Sequence, residues 1–243
     1  MESVTLYPVK HLPLIKQGDN LGEIILAGLH QAIGIQDDDV IVIAQKIVSK
    51  SEGAIIDLSM VTPTEKAQEI ANQTGRDARL CQVYLDEAKE IVAIKGRMVI
   101  TRHHLGFVGS SSGVDRSNIA PHEAEKVVLL PKNPDLSAEN IRQYIYEKIG
   151  KRVAIIINGS CGRDYRGGSV GMAIGIAGIG AIEAKAKKDL FGNESRSQIA
   201  LVDELAAAAS ILMGQADEGV PAVLIRGVSF TVVEKASITE FLH

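Results

Sequence analysis

Four stretches of this 243-residue chain carry residue types that can hold a phosphate or a metal ion. The first is "NGSCGRDYRGG", Asn158 to Gly168, which places glycines, a hydroxyl, a thiol and two arginines directly behind the aliphatic run "VAIII" (Val153–Ile157). Such a loop is either an anion cradle of backbone N–H groups and guanidinium forks, or a tight turn. The second, "SSSGVDRSN", surrounds one carboxylate, Asp115, with Ser112, Gly113, Ser117 and Asn118. It offers one ligand for a hard cation among hydroxyl and amide groups, or it forms an Asx-turn at the surface. The third, "MGQADEGVPAVLIRG", sets Gln215, Asp217 and Glu218 just past a helix C-terminus. The helix dipole disfavours acids there unless they bind a cation or point into water. Mg2+ or Mn2+ would suit these oxygen ligands. The fourth, "QKIVSK", spaces Lys46 and Lys50 four residues apart, either to steady phosphates or as a solvated pair. His103 and His104, upstream of the Asp115 stretch, read as packing or solvent contacts.

Two nucleotide motifs are excluded or broken. No GxxxxGK[ST] occurs, so there is no P-loop. "GIAGIGAIE" supplies Gly178 and Gly180, but Glu183 stands where a dinucleotide fingerprint needs a third small residue. Close strand packing is the better account of those glycines.

The elements that must position these stretches follow from periodicity and caps. Ser3–Val9, Asp39–Gln45, Val153–Ile157, Ser169–Gly178, Ala222–Gly227 and Ser229–Glu234 read as strands, with short ones at "RMVIT", "GFVG" and "KVVLLP". Helices are expected from Asn20, from a Thr62 cap and Pro63 to a Gly75 stop, over Ala78–Ala93, from a Ser137 cap to about Lys148, and over Gln198–Gly214. Strands and helices mix without strict βαβ alternation, which favours an α+β fold over a doubly wound sheet.

Composition bounds the class. Hydrophobic residues make up 46% and charged residues 23%, and the net charge of -4 leaves no basic surplus for a general nucleic-acid binder. No apolar run approaches the ~20 residues of a membrane helix, and the N-terminus lacks a signal-peptide pattern. Cys81 and Cys161 lie far apart and make no metal-type pair, so a cytoplasmic location is expected.

Taken in order, "HLPLI", "AQKIVSKSEG", "SGVDRSN", "GRDYRGGSVGMAIGIAG" and "MGQADEGVPAVLIRG" resemble the coenzyme F420-0:γ-glutamyl ligase family across nearly the whole chain. The resemblance implies a ligase that joins L-glutamate to the carboxylate of coenzyme F420-0, or a related carboxylate, with GTP as co-substrate and Mg2+ or Mn2+, and possibly K+. It implies an α+β fold of two interwoven lobes of mixed sheet and helices, a single ligase unit over 1–243 without a nitroreductase-like extension, and a homodimer.

The same resemblance implies roles by position. Leu12, Pro13, Leu14, Ile15, Gln45, Lys46, Lys50 and Asn118 would hold the nucleotide. Met213, Gly214, Gln215, Ala216, Asp217, Glu218, Gly219 and Val220 would wrap its phosphates. Asp115 and Gln215 would face metal, and Arg163 and Arg166 would stabilise the transferring phosphoryl group. The chain departs from the family at the metal loop, which typically reads close to "SDTFGRPxR": Gly159 stands in place of the acid. Asp164 is the candidate substitute ligand, with Asn158 as a neutral one. Alternatives to F420-0 ligation are a homologue that binds nucleotide without ligating, and an acid–amide ligase with another acceptor.

Overall fold

The computed structural model describes residues 3–119, 123, 125–163, 166–188 and 190–242. In chain order the strands and helices are β1 (Thr5–Val9), α1 (Leu21–Ala32), β2 (Val40–Ala44), α2 (Gln45–Glu52), β3 (Ile55–Asp57), α3 (Glu65–Thr74), α4 (Ala78–Asp86), β4 (Ala88–Lys95), β5 (Met98–His103) and β6 (Val108–Ser110). There follow β7 (Lys126–Val128), α5 (Pro134–Ile149), β8 (Ala154–Arg163), β9 (Arg166–Ala177), β10 (Glu183–Lys188), β11 (Glu194–Ile199), α6 (Leu201–Met213) and β12 (Ala222–Arg226). The fold is α+β.

The aliphatic runs build one five-stranded sheet in the order β1-β12-β2-β8-β9. Only β2 and β8 run parallel, and the other pairings are antiparallel. Val40–Ile43 and Ala154–Ile157 are fully buried, because helices cover both faces of the sheet. That is why these strands read as continuous apolar runs rather than alternating ones. A bulge between Ile157 and Asn158 shifts the register against β9. Gly171 on one side of it would meet α6 and Gly175 on the other would meet Pro134 of α5 if either carried a Cβ, so the two helices pack on opposite faces. Two backbone donors of edge strand β9 are taken by helix carboxylates: Ala173 N–H by Asp203 (2.8 Å) and Ile176 N–H by Asp135 (2.8 Å).

A second hydrophobic cluster joins α3, α4, β5 and β7 through Ile70, Leu80, Val83, Tyr84, Val99 and Val127. Around it lie the β4-β5-β6 sheet and the β3-β7 pair.

Several boundaries differ from expectation. The cap of α3 is Thr64, whose hydroxyl accepts from Ala67 N–H, not Thr62. The second helix stops at Asp86 and the chain turns into β4, which pairs with β5. Asn133 rather than Ser137 caps α5. α6 begins at Leu201, because 194–199 pairs with β10. Residues 229–234 form no strand; β12 is already flanked by β1 and β2.

Candidate active site

The parallel pair β2 and β8 ends where Ala44 faces Asn158 in register. From that point β2 passes directly into α2, whose N-cap, Ala44, supplies no side-chain acceptor. The first-turn N–H groups of α2 therefore point at the strand ends with no capping side chain, an arrangement suited to an anion. Gln45 begins this helix, is buried, and accepts from Ser49 Oγ (2.9 Å).

Lys46 and Lys50 reach from α2 to the Asp115 loop. Lys46 Nζ lies 2.9 Å from Asp115 Oδ2 and donates a short hydrogen bond to Ser117 Oγ. Lys50 Nζ donates to Asn118 O (2.8 Å), and Asn118 Nδ2 donates to Ala216 O (3.1 Å). Three segments far apart in sequence are thus joined: α2, the 115–118 loop and the 213–220 loop. The Asp115 backbone is fixed by a reciprocal pair of 2.8 Å bonds with Val128. Burial pushes the Asp115 carboxyl pKa up, but the Ser117 backbone N–H and the Lys46 ammonium outweigh it and hold the group below the ordinary carboxylate range. Burial, and then repulsion from Lys46, lower the Lys50 pKa.

Just before Asp115 the backbone is left-handed at Ser111 (φ 59°), Ser112 (φ 50°) and Gly113 (φ 68°). Left-handed φ is costly for the two serines, and the surroundings must hold it. Ser112 is buried and does so: its Oγ donates to Tyr84 O (2.7 Å), and its N–H donates to Thr101 Oγ1 (3.0 Å). The turn forms one wall of a cleft of about 80 Å³, opposite Gly159, Ser160, Cys161 and Gly162 of β8. His103 lies in this cleft. Its Nδ1 accepts from Leu105 N–H (2.9 Å), so the proton sits on Nε2, which faces Glu87 (3.3 Å). Thus His103 is a packed, hydrogen-bonded residue and not a spare ligand.

The 213–220 loop closes on itself. Glu218 Oε2 accepts from Ala216 N–H (2.8 Å), which holds this exposed carboxyl's pKa below the ordinary range. Gly214 is required there by its backbone, since φ 66° with ψ -164° is open essentially to glycine alone. Gln215, Asp217 and Gly219 are exposed, and Val220 and Met213 are buried. In the N-terminal loop Leu12 packs over Gly28, Ile15 is buried and Leu14 is exposed. Further along the same loop, Gly18 N–H bonds Ser51 O (2.9 Å), at the C-terminal turn of α2.

Arg163 and Arg166 pair across the β8–β9 hairpin, both exposed. Arg163 donates to Gly167 O (2.8 Å) of its own hairpin. Five residues of strand, about 16 Å, separate it from Asn158. Asp164 lies outside the described residues.

Asn158, the candidate neutral ligand beside Gly159, has informative surroundings. It is 7% exposed, and its Nδ2 donates to Ser210 Oγ (3.0 Å) and Met213 Sδ (3.3 Å). Ser210 spends its own hydrogen on Ala206 O (3.0 Å), which fixes the amide's orientation. Asn158 Oδ1 is then left without a donor among the described residues. Ser210 and Thr101 were not singled out by sequence; a lone serine after four alanines is the only hint of the former.

A divalent cation fits this donor set in a restricted way. No group of three His, Cys, Asp or Glu side chains converges among the described residues. One carboxylate, Asp115, lies among neutral oxygens, and an ammonium already stands against it. Such a set can hold a hard cation whose remaining charge is balanced by a ligand's phosphates.

An uncapped helix start, two lysines and one half-buried acid at the ends of a parallel strand pair mark an α+β protein whose site is suited to an anion. The family is narrower than that class. A family model described as "F420-0:Gamma-glutamyl ligase" matches residues 10–227, and the chain belongs to that family of ligases. The coenzyme F420:L-glutamate ligase of Methanocaldococcus jannaschii is 47% identical, over 89% of this chain and 85% of the relative. Those of Methanococcus maripaludis and Methanothermobacter thermautotrophicus are 44% and 41% identical, over 88% and 92% of this chain and 85% and 89% of theirs. Among the described residues no helix is long and apolar enough to cross a membrane.

Proposed function

We propose that this chain joins L-glutamate to the carboxylate of coenzyme F420-0 in an amide bond, driven by GTP and a divalent cation. The observation that carries the reading is the Lys46–Asp115 pair with its extension through Lys50 and Asn118 to Ala216, because it links every segment expected to hold nucleotide except the N-terminal loop. Lys46, Lys50 and the N-terminus of α2 bind the phosphates, and the 213–220 loop wraps them. Asp115, with Gln215 and Asp164 as further candidates, holds Mg2+ or Mn2+, which when bound neutralises charge on the phosphoryl oxygens. K+ is a further candidate.

In the first step a bond forms between an acceptor carboxylate oxygen and the γ-phosphorus, and the bond to the bridging oxygen breaks, releasing GDP. The glutamate α-amine then attacks the acyl carbon, and inorganic phosphate leaves. Arg163 and Arg166 have guanidinium forks of the kind that match phosphoryl oxygens, and Arg163 must leave Gly167 O to offer its own. No covalent protein nucleophile is needed, so orientation and charge supply most of the rate. A single ligase unit of two lobes, acting as a cytoplasmic homodimer, completes the proposal; the two hydrophobic clusters support the lobes, and light scattering tests the dimer.

Mass spectrometry of a reaction containing GTP, Mn2+, L-glutamate and F420-0 tests the reading. A product heavier by one or more glutamyl units is expected, and lost in Asp115→Asn. A second reading, nucleotide binding without ligation, is favoured by one observation, the missing side chain at Gly159. It predicts bound GTP and no glutamylated product.

A further inference from the structure

Both oxygens of the Asp115 carboxylate are engaged. Oδ1 accepts from Ser117 N–H (2.7 Å), and Oδ2 faces Lys46 Nζ at 2.9 Å. Lys50 adds a second ammonium nearby, close enough to Lys46 for the two to repel. Of the neighbouring acids, Glu218 accepts from Ala216 N–H, and Glu123 pairs with Lys126 (2.7 Å) while also attracting Lys50. The carboxylate in contact with Lys46 is thus that of Asp115, and position 159 contributes no charge.

From this arrangement we infer that Lys46 is the resident counter-ion of Asp115 and decides in what form the site accepts a divalent cation. A free cation meets a carboxylate already neutralised and flanked by positive charge, and is turned away. A nucleotide brings phosphates to which Lys46 can transfer. That transfer releases Asp115 Oδ2 and Ser117 Oγ, so the cation enters only in company with the nucleotide. Lys46 is then a specificity-determining residue, beyond its role in holding phosphate. The coupling works in both directions, as any thermodynamic linkage must. The inference rests on the proposed reading that nucleotide and cation share this site.

The test is binding of Mn2+ alone to the full chain, followed by electron paramagnetic resonance of the free ion. The proteins compared are the unaltered chain, Lys46→Met, Lys46→Gln, Asp115→Asn and the Lys46→Met/Asp115→Asn pair, each checked for an intact thermal melt. Both Lys46 variants are expected to bind Mn2+ alone at least tenfold more tightly than the unaltered chain, and the pair is expected to lose that gain. No gain in either Lys46 variant would overturn the inference, as would a gain that survives removal of the Asp115 charge. Repeating the titrations with GDP separates the two failures. If Asp115→Asn weakens Mn2+ binding beside GDP but the Lys46 variants show no gain without it, only the counter-ion role falls. If Asp115→Asn changes nothing beside GDP, the site itself has been misplaced.

Discussion

Restoring a carboxylate at position 159 is the sharpest perturbation this chain offers. The backbone there is not left-handed, so a side chain is admissible without strain. A Cβ would sit 3.3 Å from Ile174 Cγ2, 3.8 Å from Ile174 Cδ1 and 3.9 Å from Gln45 Cγ. Only the first contact is tight, and Ile174 must yield by a few tenths of an ångström. Overpacking of that size costs about 1 kcal/mol, at the low end of its usual range, which lowers the melting temperature of a chain this long by about 2–4 °C. Position 159 lines the cleft, and a Cβ there lies near Gln45 at the start of α2. Unit charges ~4 Å apart attract by about 4 kcal/mol at an effective dielectric constant of ~20. Desolvation removes much of that. A remainder of about 1.4–2.8 kcal/mol raises cation affinity about ten- to a hundredfold. Gly159→Asp is therefore expected to bind Mn2+ more tightly in the presence of GDP by that factor, and to glutamylate F420-0 faster than the unaltered chain. An affinity within twofold of the unaltered chain, with the fold intact, would refute the reasoning. It would place the cation away from the face that position 159 presents.

Three further outcomes are expected. Arg226 holds the 1%-exposed Asp39 through two bonds of 2.8 and 2.7 Å, so Arg226→Met strands a buried carboxylate. The expected loss is about 3–5 kcal/mol, seen by circular dichroism as a melting temperature lower by about 6–20 °C. A change below about 2 °C would contradict it. Burial raises the Asp203 pKa above its ordinary value, so folding costs more with this carboxyl charged than with it protonated. Its contribution is full below the unfolded value and is lost as pH rises through the raised folded value. Asp203→Asn keeps an acceptor for Ala173 N–H, so it should melt higher than the unaltered chain at pH 7, with the gap closing toward pH 3; a pH-independent gap would count against this. In Gly171→Ala the new Cβ would lie 2.2 Å from Ser210 Oγ and 2.4 Å from Ala206 O. A backbone clash of that kind costs about 3 kcal/mol, whereas Gly162→Ala, with nothing within 4 Å, should melt unchanged.

The parts of the fold legible from sequence are those whose burial is total or whose caps are local. The runs "VIVIA" and "AIII" announce β2 and β8 because both faces of these strands are covered, and Asn20 and Gly75 mark helix ends by their own chemistry. What sequence did not show was settled by pairing at a distance. "AKEIVAIK" is rich in good helix formers and continues the α4 pattern, yet β5 captures it as a strand. The β10–β11 hairpin, rich in lysine, alanine and serine, has no apolar alternation to announce it. "SFTVVE" has strong strand propensity, yet it cannot pair with the strand just before it, since β1 and β2 already flank β12. Local preference yields where a neighbouring strand offers more hydrogen bonds and burial.

The site divides along the same line. Asp115, Lys46, Lys50 and Asn118 could be named from sequence because charge and amide chemistry identify them whatever the fold. Their mutual arrangement could not. Nothing in "QKIVSK" says that a helix starts at Gln45, since the preceding Ala44 is no cap. Yet that start aims both lysines at the loop carrying Asp115. The left-handed serines before Asp115 were equally hidden. Ser112 is held by Tyr84 O and Thr101 Oγ1, each brought there by another element. Gly159 shows the converse: an absent side chain is legible in sequence, but its effect depends on what faces it. In this fold a cleft faces it, bordered by Ile174, with Gln45 close by. Asp115 is then left to Lys46, so the lysine expected to hold phosphate must first be drawn off the carboxylate expected to hold metal.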